Sequence, residues 1–274
     1  MPGLSRVVRR LEAVEEENRD LRGQIGLPVL RSSSDDIRAN SAELRDASDL
    51  PLPPPALREW VAGTSDLDWF LKGGKLCVQT IVSLLEAHGT VLEELDSVLD
   101  FGCGCGRVIR HLRHYETVNV HGTDCNQHAI VWCDQHLNFA EFGTNQLEPR
   151  TRYREHCFDL VYAFSVFTHL TESLQSHWMQ ELRRILKPEG LLIVTVSGSG
   201  DHNFPQLPSS EQHRYHRGEL ILTGLQAAGQ NQCVAFHPEA YVRNVLAKDF
   251  DVIECRPQGA LGNPLQDVYL LRRR

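Results

Sequence analysis

The sequence predicts an α/β fold, built as a doubly wound, mostly parallel sheet of seven strands with helices on both faces and an antiparallel last strand. Three observations predict it. Short apolar runs alternate with helix-like segments from residue 97 onward, and strands that alternate with helices form parallel sheets with right-handed crossovers. The first run ends in a glycine loop that opens a helix. The last two runs lie too close together for a crossover, which favours an antiparallel pair.

The elements follow from their local patterns. Before the first strand, apolar residues recur at helical spacing on both sides of Gly73-Gly74, which predicts two short helices. Strands are predicted at 97–101, 118–122, 138–142, 158–163, 191–196, 250–254 and 267–271, and helices begin at 108 and span 129–137, 172–186 and 238–248. Pro188 and Gly190 end the helix at 172–186. The irregular insertion at 198–237 is expected to form part of a substrate pocket.

Composition limits the class of protein. The 274 residues are 41% hydrophobic and 23% charged, which is typical of a globular chain with ample material for a core. The formal net charge of −8 argues against a nucleic-acid-binding protein. We expect no membrane span or secretory signal, because no apolar run approaches ~20 residues and the N-terminus lacks an apolar region. Eight cysteines without a C-x-x-C pair predict reduced thiols in a cytoplasmic protein.

The N-terminal residues 1–25 carry a heptad pattern, which predicts a helix that forms a homodimeric coiled coil through residues 4–25. Asn18 stands at an a position, where a buried amide favours a parallel dimer. Three heptads are marginal alone, so an amphipathic arm packed on its own domain is the alternative. The proline-rich and polar residues 26–57 predict a linker, followed by the main domain at 58–274. The apolar seam consists of Leu4, Val7, Leu11, Val14, Leu21 and Ile25.

The most informative segment is the glycine loop, which reads DFGCGCGR at 100–107. Glycines permit a tight turn, and the start of a helix offers free backbone N–H groups to a ligand. A dinucleotide fingerprint, G-x-G-x-x-G, would need a glycine where Arg107 stands. Asp124 ends the second strand about 20 residues further on, where an acid can accept both hydroxyls of a ribose.

This loop resembles the first motif of the class I S-adenosylmethionine-dependent methyltransferases, an acid followed by G-x-G-x-G. Further segments resemble that family in the expected order: the acid at 124, FDLV followed by SVFTHL at 158–170, and ELRRILKPEG at 181–190. The resemblance covers roughly residues 60–272. It implies a Rossmann-like methyltransferase fold, with S-adenosylmethionine as the methyl donor.

The resemblance also implies roles for individual residues. Asp100 would hold the amino group of the cofactor, the glycine loop its methionine part, and Asp124 its ribose. Asn145, where the family often has an acid, would contact the adenine amino group. Phe70 and Gly73 lie where such enzymes fold a lid over the cofactor, although Phe70 could equally be a core residue. The complete expected cofactor site is Phe70, Gly73, Asp100, Gly102, Cys103, Gly104, Gly106, Asp124, Asn145 and Ser165.

His169 is the candidate catalytic residue, because it follows the fourth strand at the edge where ligands bind. A histidine of near-neutral pKa can take a proton from an attacking hydroxyl. The alternative is a structural histidine beneath the loop. His213 and His216 have no companion ligand at persuasive spacing, so no metal is expected. The candidates for substrate contact in and beside the insertion are His202, His213, His216, Glu219 and His237.

Three functions are compared. The first is a methyltransferase with a small-molecule acceptor, for which oxygen is the favoured acceptor atom and nitrogen or carbon the alternatives. The second is a nicotinamide-dependent oxidoreductase, which the residues at 100 and 107 oppose. The third is a non-catalytic scaffold that keeps the cofactor fold, which the intact Asp100 and Asp124 oppose.

Overall fold

The computed structural model describes residues 44–263 and 266–274. The predicted coiled coil at 1–25, and the part of the predicted linker before residue 44, lie outside the described residues. The strands are β1 (Ser97–Phe101), β2 (Asn119–Asp124), β3 (Glu141–Thr144), β4 (Phe158–Ala163), β5 (Leu186–Ser197), β6 (Ile221–Thr223), β7 (Val234–Phe236), β8 (Phe250–Arg256) and β9 (Gln266–Arg273). The helices are α1 (Pro55–Ala62), α2 (Leu67–Ala87), α3 (Gln127–His136), α4 (Glu172–Ile185), α5 (Ser209–His216) and α6 (Glu239–Tyr241).

One sheet of nine strands organises the described residues, with the order β3-β2-β1-β4-β5-β7-β6 and with β9 pairing both β5 and β8. Strands β1 to β5 pair in parallel, and β9 runs antiparallel to β5 and β8. These strands and β8 are the seven predicted ones, so the predicted fold class is confirmed. The two additional strands, β6 and β7, form an antiparallel hairpin within the predicted insertion.

Side chains of the central strands alternate between two apolar clusters, one on each face of the sheet. Val98 packs with the cluster that contains Ile81 and Leu84 of α2, whereas Leu99 packs with the cluster that contains Trp178 and Leu182 of α4. Alternate residues of a strand point to opposite faces, so helices must cover both. The sheet is therefore doubly wound, as predicted.

The Gly73-Gly74 pair lies inside one continuous helix, α2, and the prediction of two short helices is wrong. A Cβ at Gly74 would stand 2.0 Å from the Arg107 carbonyl oxygen, and one at Gly73 would stand 3.3 Å from the Gly262 carbonyl oxygen. The glycines let the helix approach two loops closely. They serve packing, which outweighs their low helix propensity.

Three other elements differ from their prediction. The predicted helix after the glycine loop is a short 3₁₀ turn at Ile109–Leu112. Strand β5 begins at Leu186 and not at 191, with Glu189 at a φ of 62° and an irregular register opposite β4. The predicted helix at 238–248 is α6 followed by a π-helical turn at Val242–Leu246.

Residues 44–54, which the sequence assigns to a linker, pack on the domain. The guanidinium of Arg110, which is only 1% exposed, donates from Nε to Asp46 Oδ2 at 2.9 Å and from Nη2 to the Pro51 carbonyl oxygen at 2.8 Å. Leu50 and Leu57 belong to the core cluster beside α2. The packed part of the chain thus begins before residue 58. No helix within the described ranges is long and apolar enough to span a membrane.

Candidate functional site

The site lies at the carboxyl edge of the sheet, between β1 and β4. The chain runs outward from β1 to β2 and β3 on one side, and from β4 to β5 on the other. The strand order therefore reverses at β1 and β4, and ligands of open α/β sheets bind in the crevice at such a point. The glycine loop, Asp124 and the turn that carries His169 all follow these strand ends.

The glycine loop needs glycine at each of its three positions. Gly102, Gly104 and Gly106 have φ values of 79°, 52° and 85°, in the left-handed region that side chains disfavour. A Cβ at Gly102 would lie 2.4 Å from Val166 Cγ2, and one at Gly104 would lie 2.3 Å from Val61 Cγ1. The loop is thus enclosed by α1 on one side and by the turn after β4 on the other.

Asp124 braces this loop from the end of β2. Its carboxylate accepts hydrogen bonds from the backbone N–H of Gly104 at 2.8 Å and of Asn126 at 2.7 Å. Burial raises the pKa of Asp124, while these two bonds act in the opposite direction. A carboxylate has about four acceptor positions, so its oxygens can also accept the hydroxyls of a ribose.

Asp100 is a buried acid with an unsatisfied oxygen. Its side chain is 3% exposed, and Oδ2 has no hydrogen-bond partner. Burial raises the pKa of Asp100 to about 7, with a smaller contribution from Asp124, while the Tyr162 hydroxyl and the Arg107 guanidinium lower it. A buried carboxylate oxygen without a partner is costly, and an ammonium ion is the kind of ligand that would stabilise it.

Asn145 and Ser165 also stand at this edge. Asn145 Oδ1 accepts from the Thr123 hydroxyl at 2.9 Å, and Asn145 N donates to the Asp124 carbonyl oxygen at 3.1 Å. Ser165 has a φ of 59°, and its hydroxyl accepts from Gln266 Nε2 at 2.9 Å. The structure therefore brings both predicted residues close to strands that bear the predicted acids.

The two residues predicted on the lid have different surroundings. Phe70 is 1% exposed in the core, with the Arg110 guanidinium 5.4 Å from its ring centroid, which favours the core alternative. Gly73 faces the Arg107 guanidinium and Gly262. Cys103 and Cys105 are buried within the loop, and burial raises the pKa of both thiols, in keeping with small structural residues.

Arg107 connects the glycine loop to the loop between β8 and β9, a contact that the sequence analysis does not predict. Its guanidinium lies 4.5 Å from the Trp69 ring centroid, donates from Nη1 to the Gly262 carbonyl oxygen at 3.1 Å, and donates from Nη2 to Asn263 Oδ1 at 2.5 Å. Asn263 Nδ2 in turn donates to Gln266 Oε1 at 3.3 Å. Arg107 thus fastens the β8–β9 loop to the glycine loop. No local residue pattern signals a contact between segments so far apart in the chain.

His169 ends the 3₁₀ turn Phe167–His169 that follows β4. Its Nδ1 lies 2.8 Å from the carbonyl oxygen of Cys233. A carbonyl oxygen only accepts, so Nδ1 carries the hydrogen and Nε2 has the free lone pair. Burial lowers the pKa of His169, with the Cys233 bond acting against it, and the imidazole is therefore neutral near pH 7.

The substrate-contact candidates of the insertion fall into three groups. His237 is fully buried and bonds Gln175, so it lines no surface. Glu219 forms ion pairs with Arg214 and Arg217. His202, His213 and His216 are exposed. Within the described ranges, no group of three or more His, Cys, Asp or Glu residues is placed to hold a metal ion.

The fold and the site define a class: a doubly wound domain with a glycine loop and two strand-end acids at the crevice where such sheets bind nucleoside cofactors. Residues 98–190 match the sequence model of a family described as a methyltransferase domain. This match confirms the predicted resemblance to the class I S-adenosylmethionine-dependent methyltransferases.

Similar proteins agree with this assignment. The chain is 25% identical over 131 residues to a phosphoethanolamine N-methyltransferase of Plasmodium falciparum, and the match covers 47% of each protein. It therefore spans about half the length of that relative. A magnesium protoporphyrin IX methyltransferase of Synechocystis, solved with bound S-adenosylhomocysteine, has 17% identity and a TM-score of 0.52 over 75% of this chain and 86% of its own. A methyltransferase of Methanosarcina mazei has 19% identity and a TM-score of 0.50 over 69% and 96%. Both structures show the shared fold.

S-adenosylmethionine is the cofactor of this family, and the residues present fit it. The unpartnered Oδ2 of Asp100 suits its ammonium group. The glycine loop leaves no space for side chains and presents its backbone. Asp124 keeps acceptor positions for two hydroxyls.

Proposed function

We propose that the protein transfers a methyl group from S-adenosylmethionine to a hydroxyl group of a small-molecule acceptor. The observation that carries this proposal is the bond from His169 Nδ1 to the Cys233 carbonyl oxygen, 2.8 Å long, which leaves Nε2 as a proton acceptor. The turn with this imidazole also touches the glycine loop, because Val166 fills the space beside Gly102. A base beside the methyl-donor loop is the arrangement that hydroxyl methylation needs.

Each residue of the site has one task in this reaction. Asp100 and Asp124 hold the ammonium and ribose groups of the cofactor, and the glycine loop supports its methionine part. When bound, S-adenosylmethionine supplies a methyl group made electrophilic by a positively charged sulfur. His169 Nε2 takes the proton from the acceptor hydroxyl and holds it. The remaining rate enhancement comes from the orientation of the acceptor, because a well-aligned reaction between bound groups is effectively intramolecular.

Nitrogen methylation is the second candidate, because the Plasmodium relative is named as an N-methyltransferase. A neutral imidazole can also accept a proton from an ammonium acceptor, so the same site serves both reactions. The two differ in the acceptor that is consumed. A panel of alcohols and phenols against a panel of primary amines separates them.

Further parts of the proposal concern partners and compartment. The net charge of −8 supports a small-molecule acceptor over nucleic acid. All eight cysteines are free thiols, which supports a reducing, cytoplasmic compartment. The heptad at residues 4–25 supports a homodimer. Light scattering on a variant that lacks residues 1–25 tests the dimer. We expect the number of chains in the assembly to fall from two to one, and an unchanged number would contradict the coiled coil.

The test of the function has two stages. Calorimetry with S-adenosylhomocysteine, and with NAD as the control titrant, is expected to show binding of the first alone. Turnover of the acceptor panels is then followed by release of S-adenosylhomocysteine in the wild type and in His169→Gln. We expect His169→Gln to lower kcat by about 100-fold, in the range for a general base, and to leave cofactor affinity unchanged. The matched control is His177→Gln, on the exposed side of α4. Full turnover in His169→Gln would refute the role of the imidazole.

A further inference from the structure

The turn that carries His169 is held from below by a buried amide. Gln175, in the second turn of α4, is 0% exposed. Its Nε2 donates to the Phe167 carbonyl oxygen at 3.1 Å and to the Leu170 carbonyl oxygen at 2.9 Å. These two carbonyls stand on either side of His169 in the chain. One side chain thus fixes both ends of the segment that presents the imidazole.

The orientation of this amide is determined by a second buried histidine. Gln175 Oε1 lies 3.1 Å from His237 Nε2, and His237 is fully buried. Both hydrogens of the Gln175 amide are used by the two carbonyls, so its oxygen must accept and His237 Nε2 must donate. Burial lowers the pKa of His237 to about 3, so this histidine stays neutral in the core. Its backbone N–H donates to the Ser197 carbonyl oxygen of β5 at 2.8 Å, which fixes its place.

Strand β7 therefore supports His169 by two routes. Cys233, just before the strand, supplies the carbonyl oxygen that orients the imidazole. His237, just after the strand, orients Gln175 and through it the turn. Because both residues flank a strand of only three residues, the inserted hairpin sets the position of the imidazole on the sheet.

We propose that Gln175 is a positioning residue for His169, and that the inserted β6–β7 hairpin controls the geometry of the base through His237 and Cys233. This inference rests on the proposed function of His169. A fully satisfied amide adds no packing that leucine would not supply, whereas its three hydrogen bonds define one conformation of the turn. Its contribution is then to the rate, through the alignment of Nε2.

The first experiment compares Gln175→Leu with the wild type and with Gln180→Leu, an exposed change on the same helix. We expect kcat to fall by about 10- to 100-fold in Gln175→Leu, in the range for a misaligned catalytic group, with the dissociation constant of S-adenosylhomocysteine within about twofold of wild type. Long-range ¹H–¹⁵N spectra of the imidazoles give a readout without turnover. His169 is expected to be the Nδ1–H tautomer in the wild type and a mixture in Gln175→Leu.

A second pair of variants tests the same proposal if Gln175→Leu fails to fold. His237→Phe keeps a ring but removes the donor to Gln175, whereas His237→Gln restores a donor at the end of a side chain. We expect the His169 tautomer and kcat to be perturbed in His237→Phe and recovered in His237→Gln. An unchanged tautomer and an unchanged kcat in the folded variants would overturn the proposal. Full turnover in His169→Gln would instead refute the proposed role of the imidazole as the base, and the spectra would still decide whether Gln175 positions it.

Discussion

Replacement of Asp124 by alanine would remove the acid that holds the glycine loop and that we propose binds the ribose of the cofactor. The carboxylate accepts two backbone hydrogen bonds, of 2.8 Å from Gly104 and 2.7 Å from Asn126. A hydrogen bond to a charged group contributes ~1.5–3 kcal/mol, so their loss amounts to ~3–6 kcal/mol before compensation. Burial of the acid, which raises its pKa, offsets part of this. We therefore expect Asp124→Ala to lower the free energy of unfolding by about 2–4 kcal/mol.

The same change should also weaken the binding of the cofactor. Loss of one or two hydrogen bonds to ribose hydroxyls, each of at least ~1.5 kcal/mol, lowers affinity by about 10- to 100-fold or more. Urea unfolding measures the first effect, and calorimetry with S-adenosylhomocysteine, below the unfolding transition, measures the second. Asp134→Ala, an exposed change on α3, is the matched control and should alter neither. Cofactor affinity within twofold of wild type in folded Asp124→Ala would refute the ribose assignment.

Three other predictions concern the acid of β1, the Arg110 contact and the glycines of α2. Burial raises the pKa of Asp100 to about 7, so the free protein loses the ionised form of this acid below that pH. Affinity for S-adenosylhomocysteine should therefore fall by up to about tenfold per pH unit below 7. Asp100→Asn should bind S-adenosylhomocysteine weakly at every pH, and a persisting pH dependence in this variant would contradict the assignment. Arg110→Ala leaves the carboxylate of Asp46 without its buried partner and should lower the free energy of unfolding, measured with urea, by about 3–5 kcal/mol. A loss below ~1 kcal/mol would show that the ion pair does not hold residues 44–54 on the domain. Gly74→Ala gains ~1 kcal/mol of helix propensity but places a Cβ 2.0 Å from the Arg107 carbonyl oxygen, so we expect a net destabilisation of about 1–3 kcal/mol. Gln79→Ala, an exposed change on the same helix, is the control. A Gly74→Ala protein more stable than the wild type would exclude the clash.

The parallel sheet was predictable because its signals are local. Each buried strand is a short apolar run, and the glycine loop reports both a turn and a helix start. Because parallel strands share a carboxyl edge, the residues after β1, β2 and β4 had to meet there. The sequence alone therefore predicts that Asp100, Asp124 and His169 lie at one edge of the sheet.

Other features have no local signal. Glycine inside a helical pattern reads as a break, yet Gly74 is explained by the Arg107 carbonyl oxygen, which lies far from it in the sequence. The group that orients His169 is a backbone carbonyl, and any residue at 233 would provide one. The role of Gln175 depends likewise on the path of the insertion, which sequence patterns left irregular. Such contacts are set by tertiary structure, which overrides local preference.

The Arg110 contact decides where this domain can be shortened. A truncated protein that starts at residue 58, after the run of prolines, would lack Asp46, Leu50 and the carbonyl of Pro51. It would lose the carboxylate and carbonyl oxygens that bind the Arg110 guanidinium, and it would uncover the apolar cluster against which Leu50 packs. Such a protein is expected to express poorly and aggregate, whereas one that starts at Leu44 keeps every contact described for Arg110. Recombinant versions of the domain should therefore include the whole segment from Leu44 onward.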